Sequence, residues 1–320
     1  MSVHKTFPLF ISIFERMKSM KAYVALLIGA FSISTSAIFV KFTDAPSAVI
    51  AFYRLFFAVV FMTPLFLTKH TRETKEMNKT DWGFALLSGT LLAFHFILWF
   101  ESLRYTSVAS SVVLVTLQPL FAFVGGVLFF KEKIAMNEWV SAILAISGSV
   151  IIGWGDLRVS GEALYGDLLA LIACAMVTGY WLVGQHLRKQ LSLITYTYIV
   201  YGIASIVLSV YVVLFRYSFF SYDERDWWCF ILLAIIPTLF GHSLFNWAIK
   251  WVNAAMVSIA ILFEPIGAIV LAYIWLGEKV YLTQGIGSLL IVIGIGAYMF
   301  GKHIKNFKKV VAFKKRRWYI

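Results

Sequence analysis

Ten long apolar runs, each bounded by charge or a short polar connector, fix what this chain can become. They fall at roughly 23–40, 49–67, 84–100, 108–130, 139–154, 165–183, 194–214, 228–249, 254–276 and 284–300. A helix crossing a bilayer needs ~20 mostly apolar residues, and a barrel strand ~10 that alternate in polarity. These runs are long and do not alternate, so they read as helices, which satisfy their own backbone hydrogen bonds in lipid. Of the 320 residues 61% are hydrophobic and 14% charged, against about half and about a quarter in a soluble domain. A water-soluble globule is excluded, and no stretch is left for a separate soluble domain. Cys174 and Cys229 sit in or beside apolar runs and support neither a disulfide framework nor a metal site.

The net charge of +12 is unevenly spread. If residue 1 lies inside, the outer connectors hold only Lys41, Arg104, Arg158, Arg216, Arg225 and Lys279, and Arg54 falls within a span. Every other Lys and Arg then faces inward, most densely in the 69–79 connector and the 301–320 tail. The positive-inside rule therefore predicts a multi-pass membrane protein with both termini cytoplasmic. The basic tail suits anionic headgroups better than nucleic acid. The apolar stretch 7–14 is short, is broken by Pro8 and lacks a small-residue cleavage site, so residues 1–21 read as a cytoplasmic or interfacial arm.

The chain also matches itself at an offset of 146 residues: Trp82 meets Trp228, Phe94 Phe240, Pro119 Pro265, Glu132-Lys133 Glu278-Lys279, and Gly148 Gly294. This aligns the third to fifth runs with the eighth to tenth; the first two align more weakly with the sixth and seventh. The expected fold is thus all-α, ten transmembrane helices in two five-helix repeats over 22–154 and 165–300, between the arm 1–21 and the tail 301–320. Five is odd, so the second repeat enters the membrane inverted. Inverted halves sharing a central site are a recurring plan of secondary transporters.

With its ten runs in two repeats, the Arg of Ala51-Phe52-Tyr53-Arg54-Leu55, the Glu-Lys pairs after the fourth and ninth runs, and Glu264-Pro265, the sequence resembles the EamA family of the drug/metabolite transporter superfamily. The resemblance implies a bacterial inner-membrane permease, commonly an exporter of amino acids or related metabolites. Gln118 stands where the first repeat's copy of the Glu-Pro pair would carry an acid.

Ionisable groups at mid-membrane are costly and normally face the bundle interior. Glu264 lies ten residues into the ninth run, ~15 Å deep at 1.5 Å per residue. It reads as a proton or substrate site, or as a protonated, hydrogen-bonded acid at a kink. Arg54 either snorkels outward or pairs structurally, or it offers a bidentate contact to a substrate carboxylate. Thr238, His242 and Asn246 form an i, i+4, i+8 stripe that should face inward, and His95 has Trp99 one turn on. Gln118-Pro119 repeats the Glu264-Pro265 geometry without charge, Pro119 and Pro265 being expected kinks, and Tyr201 heads a polar row with Ser205 and Ser209. For the histidines, interhelical hydrogen bonding competes with substrate contact. Small residues such as Ser141, Ala145, Gly148, Gly287 and Gly294 read as close-packing positions.

There is no phosphate-cradling Gly-Lys-Ser/Thr loop, zinc-protease helix or nucleophile elbow. The expectation is a non-enzymatic secondary transporter without cofactor or metal, exporting a small polar or amphipathic metabolite by alternating access. A broad multidrug exporter and a membrane-embedded enzyme or lipid-handling protein are the alternatives. The expected partners are the bilayer and a small-molecule substrate, not nucleic acid; monomer and homodimer remain equally open.

Overall fold

A computed structural model describes residues 6–118, 120–122, 125, 136–156, 161–249, 251, 257, 260–261, 263–294 and 297. Every regular element among them is a helix. The first repeat holds α1 (Thr6–Lys41), α2 (Ser47–Lys69), α3 (Thr71–Glu76), α4 (Lys79–Tyr105), α5 (Val108–Val115) and α6 (Met136–Asp156). The second holds α7 (Gly161–Leu187), α8 (Leu193–Leu214), α9 (Glu224–Leu233), a π-helical segment (Ala234–His242), α10 (Ser243–Ala248), α11 (Glu264–Leu276) and α12 (Leu282–Gly294). Among the described residues six helices are long and apolar enough to cross a membrane: Val24–Lys41, Ser47–Lys69, Lys79–Tyr105, Glu162–Leu187, Leu193–Leu214 and Glu224–Ala248. α5 opens the fourth run among the described residues, and the fifth, ninth and tenth runs hold the shorter apolar stretches Trp139–Gly148, Glu264–Leu276 and Leu282–Gly294.

Local chemistry sets several boundaries. Asn78 and Asp81 form a reciprocal capping box at the start of α4, with bonds of 2.9 and 3.1 Å. Ser107 and Ser192 cap α5 and α8 in the same manner on one side, each side chain accepting from a backbone N–H three residues on. Gly277, at φ 67°, stops α11 in the left-handed conformation that lacks a Cβ penalty. Pro237 sits inside an apolar helix and has no N–H to give the carbonyl of Leu233. The chain widens there into the π-helical segment, and the Thr238 hydroxyl donates to the Leu233 carbonyl at 2.7 Å. The π register brings Thr238 onto the carbonyl that the proline cannot serve, and the Thr238 hydroxyl, in donating there, keeps an oxygen lone pair for a partner.

Packing is tightest where small residues let backbones meet. A Cβ on Gly148 would lie 2.5 Å from the carbonyl oxygen of Gly287, so α6 and α12 touch at backbone level, as their small-residue stripes imply. A Cβ on Gly241 would lie 2.6 Å from Ile33 of α1. α1 packs on the π-helical segment, α10 and α11; α4 packs on α7 and α8; α2 packs on α8. The outer faces carry an apolar band that includes Leu27, Phe31, Ile206, Val213 and Leu289. Such a surface belongs in lipid. Trp82, Trp139, Trp228 and Trp251 are exposed at helix ends, while Trp99, Tyr180 and Trp181 are buried and Tyr273 faces outward.

Connectors 69–79 and 187–193 lie at the same end: the Ser192 N–H donates to Glu73 at 2.7 Å, and His70 Nδ1 lies 3.0 Å from the Ser192 hydroxyl. At the opposite end Arg225 pairs with Asp44 at 2.6 Å, the Tyr53 hydroxyl donates to the Phe219 carbonyl at 2.6 Å, and Arg104 donates to Ser47 and the Ala45 carbonyl. α1 ends at Lys41 and α7 at Leu187; α2 begins at Ser47 and α8 at Leu193. Both pairs are separated by the offset of the sequence self-match.

Candidate functional site

Arg54, on the second turn of α2, is wholly buried. Its Nε donates to the Thr238 hydroxyl at 2.7 Å and its Nη1 to the Ser36 hydroxyl of α1 at 2.8 Å. The guanidinium carbon lies 4.1 Å from the centre of the Phe96 ring and 5.7 Å from that of Phe100. Its Nη2 has no hydrogen-bond partner. The Thr238 proton is spent on Leu233, so its oxygen is free to accept, and the proline-induced widening thereby selects the acceptor for Arg54.

The rings of Phe96 and His242 meet edge to face at 5.7 Å, and His242 stacks on Trp181 at 5.8 Å and 10°. His95 stacks on Trp99 at 5.8 Å, and its Nδ1 is 3.0 Å from the Ala173 carbonyl, which fixes that nitrogen as the donor. Asn246 donates to the Tyr180 hydroxyl at 2.8 Å and to the His242 carbonyl at 3.0 Å. Five helices and the π-helical segment thus converge on an aromatic cage with one cation.

All nine predicted pathway residues are at most 5% exposed: Arg54, His95, Trp99, Gln118, Tyr201, Thr238, His242, Asn246 and Glu264. Contacts join Arg54 to Thr238, and Phe96 links Arg54 to His242, with Asn246 one turn beyond. Tyr201 and Glu264 lie within electrostatic reach of Arg54, but no carboxylate comes within 4.0 Å of it among the described residues. Gln118 instead bonds within its own segment, Nε2 to the Val115 carbonyl at 3.4 Å.

Glu264 begins α11, with Pro265 in that helix's first turn, where the missing N–H costs nothing. The preceding Phe263 is a turn, so the ninth run is interrupted at this point, and the Ser34 hydroxyl of α1 donates to the Glu264 carbonyl at 3.1 Å. The fourth run breaks at the corresponding place, with Thr116 in a turn and Leu117 outside any helix just before Gln118. Pro119 itself lies outside the described residues.

Buried polar atoms without partners gather in this region: Arg54 Nη2, the indole nitrogens of Trp99 and Trp181, His242 Nδ1 and Asn246 Oδ1. Native interiors leave few such atoms, and each calls for a reason. Both donors and acceptors are present, which suits a small molecule that itself carries both.

Sequence reasoning missed Ser36 and Phe96, since nothing marks one serine or phenylalanine among many. The offset of 146 residues offered one signal, because it pairs Phe96 with His242 of the polar stripe. It also missed Arg188. Expected in a polar connector, this residue is 3% exposed and donates to the carbonyls of Asn246 at 3.1 Å and of Leu191.

Residues 20–154 and 164–300 each match the EamA-like transporter family. The chain is 25% identical over 286 residues to a Bacillus subtilis (strain 168) protein named uncharacterized transporter YxxF, covering 89% of this chain and 91% of that one. A transporter so named from Archaeoglobus fulgidus is 23% identical over 271 residues, covering 85% and 93%. A protein of known crystal structure superposes with a TM-score of 0.68 at 15% identity, covering 89% of this chain and 97% of its own, a likeness of fold. With two matching repeats that span most of its length and relatives that are named transporters, this chain belongs to the EamA-like transporter family.

Proposed function

We propose that the protein is a secondary transporter, working as an exporter, of a small polar or amphipathic metabolite such as an amino acid. One observation carries this reading: a buried guanidinium at the contact between the two repeats, with one N–H pair unused and, among the described residues, no carboxylate within 4.0 Å. An unpaired buried charge is costly. A substrate carboxylate arriving on Nη2 relieves that cost, the surrounding rings take an apolar side chain, and the Asn246 side-chain oxygen offers an acceptor for an ammonium.

Transport would proceed by alternating access of two inverted five-helix repeats across the bacterial inner membrane, with both termini cytoplasmic. Three features support it. Helix ends recur at the self-match offset. The contact of α1 with the π-helical segment is mirrored by that of α4 with α7, as a two-fold relation requires. The helix breaks before Gln118 and Glu264 give the discontinuous helices on which transporter sites are built. Glu264, in the first turn of α11, is the group that would couple proton movement to transport. In this reading the chain uses no cofactor and catalyses no covalent step.

The test is transport by purified protein in proteoliposomes, against a panel of amino acids, lipophilic cations and a pH gradient. Saturable amino-acid flux that Arg54→Lys abolishes supports the reading, since an ammonium cannot reproduce the two hydroxyl bonds and the ring stacking. Flux of lipophilic cations alone, undiminished in Arg54→Lys, overturns it.

A further inference from the structure

A crevice of about 740 Å³ opens between α1, α8 and the π-helical segment with α10, at the end of the bundle that carries the 69–79 connector. Its lips, Val24, Ile28 and Phe240, are exposed on the lipid-facing surface, and Ala25 and Met62 are buried in its floor. Among the described residues the lining holds one charged residue, Lys21, whose side chain is exposed, and no acidic residue. Two hydroxyls reach it, and both are already engaged. Thr197 donates to the Leu193 carbonyl at 2.8 Å, and Ser243 donates to the Thr238 carbonyl at 3.4 Å. The floor therefore offers nothing to a polar solute, unlike the cage around Arg54.

We propose that this crevice seats one acyl chain of an anionic phospholipid, with the phosphate on the Lys21 ammonium. The lining is apolar with a single cation, Lys21, which complements an acyl chain that carries one anionic headgroup. Lys69, Arg72, Lys75, Lys79 and Lys189 stand at the same end and draw anionic lipid to that surface. A chain leaving bulk lipid for an equally apolar crevice gains little from burial alone. Selectivity therefore rests on Lys21, and retention on the fit of the crevice. The wall formed by Leu239 and Phe240 belongs to the same π-helical segment that presents Thr238 to Arg54. The proposal needs the membrane placement of the bundle and is independent of what the protein transports.

The full chain is reconstituted in phosphatidylcholine nanodiscs doped with phosphatidylglycerol or further phosphatidylcholine carrying brominated acyl chains. Quenching of Trp247, which lines the crevice, is read as the difference between wild type and Trp247→Phe. Saturable quenching is expected at about fivefold lower mole fraction of the brominated phosphatidylglycerol, the contribution of one lysine near an anionic surface. Lys21→Gln, an exposed substitution that leaves the fold intact, should erase that preference. Ala25→Leu, which fills the floor, should abolish saturable quenching by both lipids. Equal quenching by the two lipids in wild type, or a preference that survives Lys21→Gln, overturns the proposal.

Discussion

Thr238→Val removes a hydroxyl and little volume, and the structure says which two bonds go with it. The Leu233 carbonyl loses its hydroxyl donor at 2.7 Å, and the Arg54 Nε loses its acceptor, also at 2.7 Å. The first is a neutral bond in an apolar helix, of the kind that averages ~0.6 kcal/mol between membrane helices. The second involves a buried charge, and leaving such a donor unpaired costs ~1.5–3 kcal/mol. The charged bond dominates, so the variant should lose ~2–3 kcal/mol, roughly 30-fold or more in the folding equilibrium. Unfolding in bicelles by SDS titration or steric trapping measures this directly. Thr238→Ser keeps the hydroxyl and should recover most of the loss. A Val variant within 0.6 kcal/mol of wild type, the neutral-bond value, or a Ser variant no better than Val, refutes the argument that Thr238 holds the guanidinium.

Four further outcomes are expected. Glu264→Gln should insert and fold normally but lose the pH dependence of transport in proteoliposomes; wild-type pH dependence would remove Glu264 from the coupling step. At the exposed connector, burial by itself would raise the Glu73 carboxyl, but donation from the Ser192 N–H, with Thr195, the Ser192 hydroxyl and His70, carries it below its ordinary 4.5. A depressed acid contributes its stability fully above that ordinary value and loses it as pH falls through the lowered one. The stability difference between wild type and Glu73→Gln should therefore shrink below pH 4.5, as read from unfolding at stepped pH. Gly148→Ala should destabilise by ~1–3 kcal/mol, because its Cβ would meet a backbone oxygen at 2.5 Å that cannot swing away. Gly202→Ala, where a Cβ meets nothing within 4 Å, should be neutral or stabilising by up to ~1 kcal/mol through helix propensity, in the same assay.

The apolar runs, the 146-residue self-match and the stripe of Thr238, His242 and Asn246 were legible in the chain because each is a one-dimensional pattern with one physical cause. Lipid demands apolar helices of a given length, duplication leaves a fixed offset, and helical periodicity puts residues four apart on one face. Those patterns were enough to mark Arg54 and Glu264 as interior groups. Which hydroxyls hold Arg54, that Phe96 lies against it, and that Arg188 is drawn inside are matters of contact between segments far apart in sequence. Ser36, Phe96 and Thr238 come from three different helices, and no local pattern encodes which turn of one faces which turn of another. The interruptions before Gln118 and Glu264 lie between these cases: the prolines announce a disturbance, but only packing decides whether a helix bends or restarts.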